Sequence, residues 1–160
     1  MHIIPPARAG CGTSQRLLEG KSQSMATNIV SPIGIGKRLD LAFDTAIERT
    51  RSALKEQGFG VLTEIDVRKT LKEKLDIDFR RYTILGACNP PFAHRALTVD
   101  LEVGLLLPCN VVLYEDGEGT VVQAMDPQAV LGLLPKPEIA GLAVEVRNRL
   151  VRALNALDDK

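Results

Sequence analysis

A chain of 160 residues with 45% hydrophobic and 25% charged side chains has the size and composition of one ordinary globular domain, which excludes a disordered, collagen-like or disulfide-scaffolded protein. Lys+Arg and Asp+Glu each number 20, so no net positive field draws nucleic acid or anionic lipid. Aromatic residues are 4% of the chain and Trp is missing, too few for a base-stacking surface.

Residues 1–24 carry Pro5-Pro6, scattered Gly and Ser, and no helical or strand period. They lack the apolar stretch of a secretory signal, although Arg8, Arg16 and Lys21 against Glu19 leave a short transit peptide open. The expectation is a leader without fold, an expression-vector remnant or a start assigned ahead of Met25, followed by a single domain over 25–160. Three cysteines, Cys11, Cys88 and Cys109, are too few and too odd in number for a disulfide framework, and they fit a reducing cytoplasm. No apolar run reaches the roughly 18 residues a membrane span needs.

Asn28–Ile35 is β-branched and interrupted by Pro32, which predicts an edge strand, because proline cannot donate to a ladder. Asp40 is placed to cap a helix with Leu39, Phe43, Ile47, Ala53 and Leu54 on its apolar side, stopped at Gly58. Phe59–Ile65 alternates as a strand. Asp66 then caps a second helix with Val67, Leu71 and Leu75 on one stripe and a solvated charged face around it. Phe79–Ala87 reads as a strand broken by Cys88-Asn89-Pro90-Pro91, and Pro91–Val99 as a short helix with Phe92, Ala96 and Val99 inward. Leu105–Glu115 reads as a strand entered through Pro108, Asp116–Gly119 as a hairpin turn and Thr120–Ala124 as the returning strand. Asp126-Pro127 starts a helix through Leu133, Pro135 and Pro137 form a hinge, and a last helix runs from Glu138 to Leu157. Its apolar positions are Ile139, Leu142, Val146, Leu150, Leu154 and Leu157. Helices interleaved with strands and one clear hairpin predict an α+β fold. Its sheet is expected to be mixed and partly antiparallel, with helices on one face, in a single compact domain.

The stretch GACNPPFAHRALTVDLEVGLLLPCNVV over Gly86–Val112 resembles the domain-of-unknown-function family numbered 302. So do the upstream Gly58–Val67 with Leu71-Lys72 and the downstream Met125-Asp126-Pro127. The resemblance covers roughly Ile29 to the C-terminus. It implies a compact α+β domain, often dimeric, and no assigned activity, so it supplies no catalytic residues and no cofactor.

The residues themselves offer a candidate ligand site at Cys88, Asn89, His94, Arg95, Cys109 and Asn110. Cys88 ends a strand just before a helix start. Free N–H groups and the positive end of a helix dipole are expected there, which favours a thiolate or a small anionic or polar ligand, with Arg95 adding charge. Three readings stay open. In the first, Asn89, Arg95 and Asn110 orient a small polar molecule. In the second, Cys88, His94 and Cys109 carry thiol or metal-dependent redox chemistry or enzyme activity, without the C-x-x-C spacing of a zinc site. In the third, both cysteines are small buried hydrophobes in a structural module that dimerises through the last helix. Neither nucleic acid nor membrane is an expected partner.

Overall fold

The computed structural model describes residues 27–158, so the expectations for residues 1–24 and Cys11 lie outside the described residues. Six strands form one sheet: β1 (Thr27–Ser31), β2 (Gly34–Leu39), β3 (Gly60–Asp66), β4 (Tyr82–Cys88), β5 (Cys109–Asp116) and β6 (Gly119–Met125). Their spatial order is β1-β2-β6-β5-β4-β3. The α-helices are α1 (Phe43–Glu56), α2 (Val67–Leu75), α3 (Pro90–Val99), α4 (Pro127–Leu131) and α5 (Pro137–Asn155), with a 3-10 segment over Leu101–Leu106. Among the described residues no helix is long and apolar enough to cross a membrane.

The fold is α+β, but every strand pair is antiparallel, so the sheet is not mixed. The reason lies in the connections. The connections, α2 with the return segment over 76–81 and α3 with the 3-10 segment, each bring the chain back to the end of the sheet it left. Each following strand therefore starts beside the end of the last, with Asp66 opposite Thr83 and Ala87 opposite Cys109.

The predicted edge strand over 28–35 is instead a hairpin. Ser31 pairs with Gly34, and Pro32-Ile33 form the two-residue turn, where proline's fixed φ suits a bend. Leu39 closes β2 and does not open a helix. Asp40 does not cap α1: the N-cap is Ala42, and Asp40 accepts from Arg38 Nη1 at 2.5 Å. Asp66 does cap α2, accepting from Lys69 N at 2.9 Å. The Leu105–Glu115 strand begins only at Cys109, because the Leu101–Leu106 run winds as a 3-10 turn.

Successive side chains in a strand face opposite sides. One cross-strand row, Ile35, Ala124, Val111 and Leu85, therefore lies buried against α1 and α5. The adjacent row, Gln123, Val112 and Ile84, lies half-buried on the other face. The long α5 unites two apolar clusters. Val146, Leu150, Ala153 and Leu154 join the main core under the sheet, and Ile139, Leu142 and Ala143 join a second cluster with Ala96, Val103 and Leu131. The apolar stripe of α5 is thus buried inside its own domain. By contrast α2 buries none of its residues, and Leu75 stays exposed.

Candidate functional site

Where the two clusters meet, a cavity of about 30 Å³ remains. From the main core it is lined by Phe59, Ala87, Cys109 and Val146, and from the second cluster by Ala96, Val103, Leu131 and Leu142. Phe92 packs against both clusters. Cys88, Asn89, Phe92, Ala93 and Leu107 complete the wall, and of these only Asn89 is fully buried, so the others mark the side nearest solvent.

Local sequence dictates how this wall is built. The α1 helix ends in a paired-bond stop, with Gly58 N donating to Lys55 O at 2.9 Å and Phe59 N to Leu54 O at 2.9 Å. That geometry needs a left-handed residue, supplied by Gly58 at φ +83°. It delivers Phe59 into the cavity wall and lays Gly58 against the Asn89 side chain, where an added Cβ would lie 2.8 Å from Asn89 Nδ2.

Asn89 is the N-cap of α3 but makes no capping bond. An N-cap side chain normally accepts from the second or third N–H of the helix. Here Pro90 and Pro91 occupy the first two positions and carry no N–H. Asn89 instead turns its Nδ2 to Gln57 O at 3.4 Å, and Arg149 Nη1 donates to the same carbonyl at 3.2 Å. Asn89 Oδ1 is buried with no hydrogen-bond partner, in a residue only 8% exposed. The prolines also correct the expected anion site, because the donors foreseen at the start of α3 are largely missing.

Cys88 and Cys109 are both free and both line the cavity. Burial raises the Cys88 pKa. Burial, with a smaller contribution from neighbouring Cys88, pushes Cys109 up to about 11. The expected thiolate is therefore disfavoured: burial penalises the charged form, and both groups are neutral thiols at neutral pH.

The remaining predicted residues lie elsewhere. His94 and Arg95 are exposed on α3, since Phe92 and Ala96 take its inward positions, and Arg95 Nη1 pairs with Glu145 Oε2 at 3.6 Å. Asn110 follows Cys109 in a strand and so faces the other side of the sheet, in an open groove beside Tyr82, Val112 and Gln123. Among the described residues no group of three or more His, Cys, Asp or Glu side chains is placed to hold a metal ion. The sequence reading missed Phe59, Val103 and Val146 as wall residues. Phe92 and Ala96 were legible as an inward stripe, but nothing in their spacing announces a cavity.

Comparison with known proteins gives one family and one fold. The family described as Domain of unknown function DUF302 matches residues 35–157. The chain is similar to an uncharacterised conserved DUF302 protein from Bacillus stearothermophilus, known from a crystal structure. The two are 32% identical with a TM-score of 0.72, over 77% of this chain and 96% of that one. No curated protein matches.

Proposed function

The chain belongs to the DUF302 family of unknown function, and we propose that it is a small-ligand-binding domain whose site is the cavity between Cys88, Asn89 and Cys109. The observation that carries this reading is the cavity itself: an apolar void at the seam of two clusters, with partly exposed residues on one side as its way in. Packed interiors keep few voids of water size or larger, and filling them stabilises, so a retained void next to a helix start is a reasoned binding candidate. Neutral thiols make Cys88 and Cys109 wall atoms in this reading, in preference to the thiol- or metal-dependent alternative.

Ala96→Leu tests it by filling the void from α3. A screen of molecules of a few heavy atoms, followed by NMR, is expected to shift resonances of Ala87, Phe92 and Val103 in the wild-type protein and not in the filled variant. Equal shifts in both proteins, or none in the wild type, would overturn the reading.

A cytoplasmic homodimer belongs to the same proposal. Cysteine usage fits a reducing compartment. The large apolar side chains Leu62, Ile65, Leu75, Ile77 and Phe79 are exposed along β3, α2 and the return segment. The β3 strand lies at a sheet edge, and an antiparallel edge pairs with its own copy about a twofold axis. Sedimentation is expected to give a dimer that Leu62→Lys disperses; a wild-type monomer would overturn self-association.

A further inference from the structure

Independently of the cavity, we infer that the opposite face of the sheet carries a second binding site, for an uncharged planar ring bearing an amide, recognised by Asn110 and Gln123. The site is an open groove of about 430 Å³, within the range that small molecules fill. It crosses four neighbouring strands, from Gly34 on β2 over Gln123 and Met125 on β6 and Val112 on β5 to Tyr82 on β4. The open face of an antiparallel sheet is ordinarily polar. Here Ile84, Val112, Met125 and Tyr82 make it largely apolar and half-buried. Tyr82 is stacked on Tyr114, with ring centroids 5.5 Å apart and planes 8° apart, which sets its ring as a flat wall.

The polar groups fix the class of guest. Among the described residues no charged side chain lines the groove, so an anion or a cation would lose hydration without a counter-charge. Two carboxamides line it. Gln123 pairs with Val112, two residues along β5 from Asn110, which makes them diagonal neighbours roughly 7–8 Å apart. The Gln123 amide is oriented: Nε2 donates to Ser31 Oγ at 3.2 Å, and Ser31 Oγ donates to Gly34 O at 3.4 Å. The single Ser31 proton is thus spent, and Gln123 Oε1 is left as an acceptor. Gly34 makes room for this arrangement, since an added Cβ would lie 2.7 Å from Gln123 Nε2. Asn110 is exposed, and its side chain makes no hydrogen bond among the described residues, so Nδ2 is a donor for a guest. An acceptor and a donor beside an apolar floor match an amide. Its N–H meets Gln123 Oε1, its C=O meets Asn110 Nδ2, and its ring lies over Val112 and Met125 against Tyr82.

The test is NMR titration of the full chain with three probes: benzamide; benzoate, which has nearly the same shape and a charge; and acetophenone, which keeps the carbonyl and lacks the N–H. Benzamide is expected to shift the side-chain amides of Asn110 and Gln123 and the methyl groups of Val112 and Met125. It is expected to bind about tenfold more tightly than either other probe, the worth of one hydrogen bond. Gln123→Leu is expected to bring benzamide down to the affinity of acetophenone. Asn110→Ala, at an exposed position, is expected to weaken both about tenfold, and it decides if the first variant fails to fold. Equal binding of benzamide and benzoate would overturn the uncharged class. Equal binding of benzamide and acetophenone, or unchanged affinities in the variants, would overturn recognition of the amide. Shifts confined to the cavity residues Phe92 and Val103, or no shifts at all, would overturn the site. Groove shifts that grow with protein concentration in the absence of any probe would also overturn it, because a second copy would then cover this face.

Discussion

Replacing Asn89 with leucine is expected to stabilise the ligand-free protein. Asn89 is 8% exposed and its Oδ1 lacks a partner, and an unpaired buried polar atom costs about 1–3 kcal/mol. Against this stands the loss of one hydrogen bond from Nδ2 to Gln57 O. At 3.4 Å it is beyond the ordinary N–H···O range and is worth about 0.5 kcal/mol. Gln57 O keeps its bond from Arg149 Nη1 at 3.2 Å, so no new orphan is created. Leucine has nearly the same length and branching, so the cavity wall is conserved. The balance is a gain of about 1 kcal/mol, or roughly 2–4 °C in Tm for a chain of this size. Urea denaturation of the two proteins measures it. A loss of about 1 kcal/mol or more would refute the reasoning, because it would mean that Oδ1 makes a structural bond; a gain would mark Asn89 as retained at a cost to stability.

Four further outcomes follow from the same contacts. Gly58→Ala is expected to lose about 1–3 kcal/mol in denaturant titrations, since it sets a Cβ at a left-handed φ of +83° and 2.8 Å from Asn89 Nδ2. Asp158→Asn is expected to destabilise by about 2 kcal/mol, leaving the ammonium of Lys37, which is 2% exposed, without its carboxylate; Lys37→Met removes the charge and is expected to be closer to neutral in the same assay. Asp76→Gly is expected to raise Tm slightly, by about 0.5–1 kcal/mol in stability, because Asp76 ends α2 at φ 52°, where glycine is unstrained. Cys109 makes stability pH-dependent on the alkaline side. Its folded pKa is raised from 9.0 to about 11, so its contribution is present below pH 9 and is lost as pH rises to about 11. At about 1.4 kcal/mol per decade this amounts to at most about 3 kcal/mol, and the wild-type minus Cys109→Ala difference across that window isolates it.

Signals that act within a few residues were legible in the sequence. Asp66 as a cap, Gly58 as a stop, Asp116–Gly119 as a turn and the inward Phe92 and Ala96 all follow from bonds or periods that close locally. The β1–β2 hairpin was not legible, because Ser31-Pro32-Ile33-Gly34 lacks the Asn-Gly type of signal and the pairing that defines it is tertiary. The Leu101–Leu106 segment merged with β5 for a related reason: an apolar run does not distinguish a buried turn from a strand. At the site, the break after β4 pointed to Cys88, Asn89 and Cys109. Two periods already in the sequence separate the rest: alternation turns Asn110 away from Cys109, and helical spacing turns His94 and Arg95 away from Phe92. Burial of the thiols and of Lys37, and the orphaned oxygen of Asn89, depend on distant segments meeting and leave no local trace.

Whether the cavity admits a guest is tested most directly by xenon, a single apolar atom of suitable size, in pressurised crystals of the protein. The expected result is one ordered xenon among Phe59, Phe92, Val103 and Cys109, with the fold unchanged. Xenon bound only elsewhere, with this void empty, would contradict a binding site there.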